Sequence, residues 1–216
     1  FNTSGDTYSY SNATVNTPPE KSMHVELGAK IDSADRRMSS RFALFRGVKL
    51  NERNTDPLLN IAVLSGKRHA TGFETDVIGK ITPRWEVYGS YTWIWDAEID
   101  VKSPTNNDEQ QGQRPSLIPK HQGSLWSTYQ INEKLRAGAG LTGRSKMAPN
   151  RNPGWYSEGY VTYDAMAEYE AIQDKLTLKA NLVNLTNKFY ADSLYANGHY
   201  IPGFGRTVYI TGTLKF

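Results

Sequence analysis
The chain of 216 residues contains no cysteine. That excludes disulfides, thiolate metal sites and cysteine nucleophiles, and it leaves the compartment open. No apolar run approaches the roughly 18–20 residues that a transmembrane helix needs. Net charge is small: 25 Lys and Arg against 22 Asp and Glu give +3, too little to argue for a nucleic-acid partner. The four histidines, His24, His69, His121 and His199, lack ligand-like spacing, so no protein metal site is expected. No Ser-His-Asp elbow or Gly-rich phosphate loop is visible, and no enzymatic activity is expected. The opening Phe1-Asn2-Thr3-Ser4-Gly5-Asp6 has neither a basic start nor an apolar stretch. It is no signal peptide, and an exported protein opening this way is expected to begin partway through a longer chain.

What the chain has is alternation. Residues 207–216 place Val208, Ile210, Gly212, Leu214 and Phe216 on one side of a strand and Thr207, Tyr209, Thr211, Thr213 and Lys215 on the other. About nine segments read this way: 22–31, 41–51, 60–81, 85–95, 121–130, 134–144, 160–171, 176–183 and 207–216. Residues 1–20 are polar and turn-rich, ending in Pro18-Pro19-Glu20, and read as a loop. The expected fold is all-β. Short turns at Thr82-Pro83-Arg84, Ile131-Asn132-Glu133 and Gln173-Asp174-Lys175 alternate with long polar loops at roughly 97–116, 147–157 and 188–204. Strands of this length, aromatics near their ends and an aromatic last residue are the pattern of an outer-membrane barrel, with short periplasmic turns and long extracellular loops. A soluble β-sandwich or carbohydrate-binding β-domain would share the alternation, and a passive porin or adhesin barrel would share the alternation and Phe216. With the chain end in the periplasm, nine strands would bring first and last together in parallel. Single-chain bacterial barrels close antiparallel with even strand numbers, so these strands are not expected to close alone.

Several segments resemble TonB-dependent siderophore receptors. They are Pro18-Pro19-Glu20-Lys21-Ser22 with Glu26-Leu27-Gly28-Ala29-Lys30, Ala43-Leu44-Phe45 with Asn51 and Arg53, and Ser65-Gly66-Lys67-Arg68 with Gly72-Phe73-Glu74 and Gly79-Lys80-Ile81-Thr82-Pro83-Arg84-Trp85. Pro115 with Ile118-Pro119-Lys120-His121 follows, then Asn181-Leu182-Val183-Asn184-Leu185-Thr186-Asn187-Lys188-Phe189-Tyr190 with Pro202-Gly203 and Gly205-Arg206. The "PEKS" and "IPKH" forms resemble the catecholate or hydroxamate branch. The resemblance implies that 21–216 are the C-terminal part of a 22-stranded barrel and 1–20 the remnant of an extracellular loop. It implies import of a ferric siderophore through the outer membrane, with loops extracellular and the C-terminus periplasmic. The implied partners are an N-terminal plug and the remaining strands of the same receptor, the TonB–ExbB–ExbD complex, the ferric siderophore, and lipid or lipopolysaccharide. Iron would arrive already chelated, so no cofactor is expected on the protein. Plug and TonB-binding box are missing from these residues, and the chain alone is not expected to transport. Phe216 would serve as the barrel-assembly signal.

Gly138-Ala139-Gly140-Leu141-Thr142-Gly143 fits a dinucleotide-binding pattern, but it lies inside an alternating strand and no helix follows. The expectation is that these small residues pack against a plug. Asp164, Glu168 and Glu170 share one face and are expected to meet plug or lumen water. Asn184-Leu185-Thr186 fits a glycosylation sequon, which has no meaning in a bacterial strand. The loops supply the expected ligand contacts: Arg114 and Lys120 near the mouth, Arg151, Trp155 and Tyr156 in one loop, and Tyr195, His199 and Tyr200 in another. Lys146, Asn150, Asn152 and Tyr190 lie beside them. Cationic groups would attract an anionic chelate, and aromatic rings would stack on its rim.

Overall fold
The structure is a computed structural model that describes residues 20–51, 53–55, 62–64, 66–102, 110–149, 155–195 and 199–216. The expected leading loop therefore lies outside the described residues, Glu20 apart. Thirteen strands run in chain order. They are β1 (Lys21–Asp32), β2 (Met38–Leu50), β3 (Arg53–Thr55), β4 (Ala62–Leu64), β5 (Lys67–Thr82), β6 (Trp85–Val101) and β7 (His121–Gln130). There follow β8 (Leu135–Arg144), β9 (Tyr160–Ile172), β10 (Leu176–Val183), β11 (Ala191–Leu194), β12 (Tyr200–Pro202) and β13 (Thr207–Leu214). Nine form a single sheet in the order β1-β2-β5-β6-β7-β8-β9-β10-β13. Every pairing in it is antiparallel. The other four strands form two small ribbons, β3-β4 and β11-β12, within the long loops. Among the described residues the sheet does not close on itself: β1 pairs there with β2 alone, and β13 with β10 alone.

Register carries the alternation across the whole sheet. Leu27 opposes Leu44, Leu44 opposes Phe73, and Phe73 opposes Trp93. Further along, Leu125 opposes Leu141, Leu141 opposes Tyr163, Ala167 opposes Ala180, and Ala180 opposes Ile210. Opposed residues in an antiparallel pair point to the same side, so these form one continuous apolar face. It packs on nothing in the described chain: Leu27 is 76% exposed and Ile210 79%. Such a face fits lipid, and strands of 8–17 residues match the roughly 9–11 tilted residues that cross a bilayer.

Aromatic side chains mark both borders of the apolar band. Trp85, Tyr129 and Tyr169 sit near the short-turn end, where Trp85 Nε1 donates to Ser127 Oγ at 2.7 Å. At the long-loop end the rings of Tyr91 and Trp93 each stack on His121 at 6.2 Å, and Tyr91 Oη shares a 2.8 Å hydrogen bond with His121 Nδ1. A β-bulge adds one more ring there. The β5-β6 register jumps between Thr71 and Gly72, leaving Trp95 unpaired and edge-on to Trp93 at 5.3 Å. Beyond it the same face turns ionic. His69 lies between Asp100 at 2.8 Å and Asp96 at 3.1 Å, and Arg46 Nη1 reaches Thr71 Oγ1 at 2.8 Å and Asp96 at 3.4 Å. Charges at this level end the apolar band.

Two boundaries differ from the sequence reading by more than three residues. The long segment 60–81 is two elements, because Gly66 takes a left-handed φ of 113° between β4 and β5. β6 runs on to Val101 rather than stopping at Trp95, because the bulge absorbs the break in alternation. The opposite face is polar, and its small residues are filled from within the sheet. A Cβ on Gly140 would overlap the Trp126 ring, and one on Gly138 would press on Thr128 and Met166. These glycines accommodate neighbouring side chains within the sheet. The carboxylates are also engaged. Asp164 Oδ1 accepts from Asn184 N at 2.7 Å, and Glu170 Oε1 accepts from Asp174 N at 2.7 Å in the β9-β10 turn. Near the short turns Glu86 binds Arg136 at 2.5 Å and Lys80 at 3.2 Å, a cross-strand ion-pair row spanning β5, β6 and β8.

Candidate functional site, a cleft between two loops
Two of the long connections leave the sheet at the same end and meet over β9. The first, between β8 and β9, is cinched by reciprocal backbone bonds between Met147 and Ser157 at 3.2 and 3.0 Å. The second, between β10 and β13, starts at Asn184. This residue is fully buried with a left-handed φ of 51°. Its Nδ2 donates to Lys188 O and Phe204 O at 2.8 Å each, and its Oδ1 accepts from Lys188 N at 2.8 Å. Both arms of the second loop are thus tied to a single side chain.

Arg144 joins the two loops. Its guanidinium donates to Ala191 O at 2.9 Å and Ser157 Oγ at 3.3 Å, and it lies 5.0 Å over the Tyr160 ring. Tyr190 packs on the other ring contact of Tyr160, with centroids 4.2 Å apart. Burial pushes the Tyr190 hydroxyl pKa up, and the neighbouring Tyr160, Asp192 and Asp164 add to the rise. At neutral pH it is therefore a phenol and can donate a hydrogen bond.

Above this stack lies a cleft of about 370 Å³, lined by Trp155, Tyr156, Lys188, Phe189, His199 and Tyr200 among others. Lys146 Nζ sits 5.2 Å over the Tyr156 ring, at one side. The cleft offers flat aromatic surface, four phenols, one lysine, one imidazole and the Glu158 carboxylate, and this set fits a planar or aryl-rimmed ligand with hydrogen-bonding edges.

Of the residues expected from sequence, Trp155, Tyr156, His199 and Tyr200 come together here. Tyr195 sits beside them, its N bonded to His199 O at 2.8 Å. Arg151, with Asn150 and Asn152, lies outside the described residues. Arg114 and Lys120 do not line the cleft. Arg114 Nη2 donates to Ile94 O at 2.6 Å beside the bulge, and burial pushes its pKa down, partly offset by Asp96. Lys120 O accepts from Ile94 N at 2.9 Å, while Lys120 N donates to Ser145 Oγ at 2.9 Å. Both residues fasten the loop before β7 to β6. Sequence reasoning missed Arg144, Tyr160, Lys188 and Phe189. The first two lie on strand ends, where alternation assigns them to the wall, and only a long-range contact reveals them.

Gly203 tests the packing of this cleft. A Cβ there would fall inside the Tyr190 ring. Gly203→Ala should dislodge Tyr190 from Tyr160 and cost about 1–3 kcal/mol. Thermal unfolding of the detergent-solubilised protein, with limited proteolysis of the β10–β13 loop, would register it. An unchanged midpoint and cleavage pattern would contradict this packing.

A one-sided apolar antiparallel sheet, bordered by aromatic rings and carrying a ligand-sized cleft in its long loops, defines a transmembrane β-barrel receptor wall. The model of the TonB-dependent receptor-like β-barrel family matches residues 1–185, and the chain belongs to that family. It is 32% identical to the probable TonB-dependent receptor BfrD of Bordetella pertussis, over 96% of this chain and 28% of that protein. It is 30% identical to the probable TonB-dependent siderophore receptor PiuA of Acinetobacter baumannii, over 92% of this chain and 27% of the relative. The crystal structure of PiuA superposes with a TM-score of 0.80 at 28% identity, over 88% of this chain and 28% of that one. The closed form of the ferric-catecholate import receptor Fiu of Escherichia coli K12 also gives 0.80, at 30% identity, over 96% and 30%. The chain thus spans under a third of the length of these relatives.

Proposed function
We propose that this chain is wall and loops of an outer-membrane receptor that imports a ferric siderophore, driven by the TonB–ExbB–ExbD complex. The observation that carries this reading is the aromatic cleft at the long-loop end of a lipid-facing sheet. A ferric chelate presents flat ligand rims around a metal that is already saturated, so aromatic stacking and hydrogen bonding suffice and no protein ligand to iron is needed. The catecholate and siderophore receptors among the relatives support the same substrate class. In this reading the polar face lines a lumen, the remaining strands of the same receptor pair with β1 and β13, and a plug fills the interior. The long loops face the outside, the short turns and the C-terminus face the periplasm, and lipid with lipopolysaccharide covers the apolar face. Phe216, fully exposed after β13, serves the assembly machinery.

Fluorescence titration of the full receptor with ferric catecholate and ferric hydroxamate chelates tests the assignment. Trp155→Ala with Tyr156→Ala should weaken binding about tenfold or more, as loss of central aromatic anchors does. Lys120→Ala, outside the cleft, should leave it within about twofold. The reverse order of effects would move the site to the loop before β7.

A further inference from the structure
The polar face is divided lengthwise, and the division has a functional reading that rests on the importer assignment. Reading one row of opposed residues across the sheet gives Lys30, Arg41 and Asp76 on β1, β2 and β5, then Ser90, Ser124 and Thr142 on β6, β7 and β8. The next row towards the loops gives Glu74 on β5, then Thr92 and Gln122 on β6 and β7. In these rows charge falls on β1, β2 and β5, and at the loop end of β8 on Arg144, opposite Gln122. Between them Ser90, Thr92, Gln122, Ser124 and Thr142 on β6, β7 and β8 carry hydroxyls and one amide. Gln122 and Thr142 are exposed, Ser124 is half-buried, and Ser90 and Ser124 share a 3.0 Å hydrogen bond.

This neutral strip is continuous with the cleft. Arg144 opposes Gln122 on one side and Tyr160 on the other, and Tyr160 lines the cleft floor. One row further down, Trp126 lies over Gly140 and gives the strip a flat aromatic patch. Asp164 on β9 flanks this row opposite Gly140, and beyond it on β6 and β8 lies the Glu86–Arg136 pair. We infer that the solute released from the cleft descends along this strip on β6, β7 and β8, and not along the charged half.

The physical reason lies in residence. A route must hold a solute well enough to admit it and weakly enough to let it go. Serine and threonine hydroxyls donate or accept as needed, so a polar chelate exchanges one partner for the next. Fixed charges of both signs would instead trap or repel a chelate according to its own charge.

These residues contain no cysteine, and any cysteine elsewhere in the full receptor is first replaced by serine. In the full receptor, single cysteines replace Ser124, Thr142, Glu74 or Asp76. Each is then modified by a bulky methanethiosulfonate reagent and later freed by a thiol reductant. Iron-55 uptake and equilibrium binding of the ferric chelate are read at each stage. Modification at Ser124→Cys or Thr142→Cys should lower uptake about tenfold with binding within about twofold, and reduction should restore it. Modification at Glu74→Cys or Asp76→Cys should leave uptake within about twofold. Equal effects on both sides, or a larger effect at Glu74 and Asp76, would overturn the route while leaving the importer reading intact. An unmodified receptor that neither binds nor takes up any ferric chelate would remove that reading and the route with it.

Discussion

Asn184→Ala in the full receptor is expected to release the β10–β13 loop and to cost about 3–5 kcal/mol, among the larger effects of a single substitution. The side chain is fully buried and makes three hydrogen bonds, two to carbonyls and one to a backbone N–H. Alanine would leave Lys188 N, Lys188 O and Phe204 O without these partners. It would also place a residue poorly suited to left-handed geometry at a φ of 51°, which asparagine tolerates. Asn184→Asp would keep the acceptor but turn two donor contacts into oxygen–oxygen repulsions. Heat-induced unfolding on gels, with proteolysis of the loop, reads the outcome. Both variants should also lose ferric-chelate affinity, because Lys188 and Phe189 line the cleft directly after the anchor. Wild-type melting and cleavage in both would show that the loop is held by something other than Asn184.

Ala180→Arg is expected to destabilise the receptor in a bilayer by about 2–4 kcal/mol, the range for an arginine on the lipid face near mid-depth. Ala180 is exposed, between Ala167 on one neighbouring strand and Ile210 on the other. On the surface of a water-soluble domain the same change would fall within about 0.5 kcal/mol. The sign and size therefore separate a lipid-facing sheet from a water-facing one. Lys179→Arg, one residue away on the polar face, serves as the control and should change little. Denaturant titration of the receptor refolded into phospholipid vesicles measures both. An Ala180→Arg variant as stable as its control would place this face in water and remove the membrane reading.

The fold was legible because period-two alternation is a local signal. The segments 121–130 and 176–183 coincide with β7 and β10 as bounded in the structure. The misread ends have specific causes. Gly66 breaks a run whose composition reads as continuous, and the bulge at Trp95 shifts the parity on which alternation depends. The site was legible by residue type and not by contact. Trp155, Tyr156, His199 and Tyr200 stand out as aromatic or basic loop residues, and the cleft gathers them. Arg114 stood out on the same grounds, yet its guanidinium is committed to the carbonyl of Ile94. Asn184 was passed over as a meaningless sequon, since nothing local announces that its amide spans to Phe204, twenty residues on. Arg144 and Tyr160 face each other only through the β8-β9 register.

The two open margins of the sheet bear on how the polypeptide must be handled. Among the described residues β1 offers a free row along twelve residues and β13 along eight, and both margins carry exposed apolar side chains, with Met23, Val25 and Leu27 on one and Val208 and Ile210 on the other. Unmet backbone donors and acceptors beside exposed hydrophobic groups are a template for stray extended peptides. Produced alone in water, these 216 residues should therefore go to inclusion bodies and seed one another.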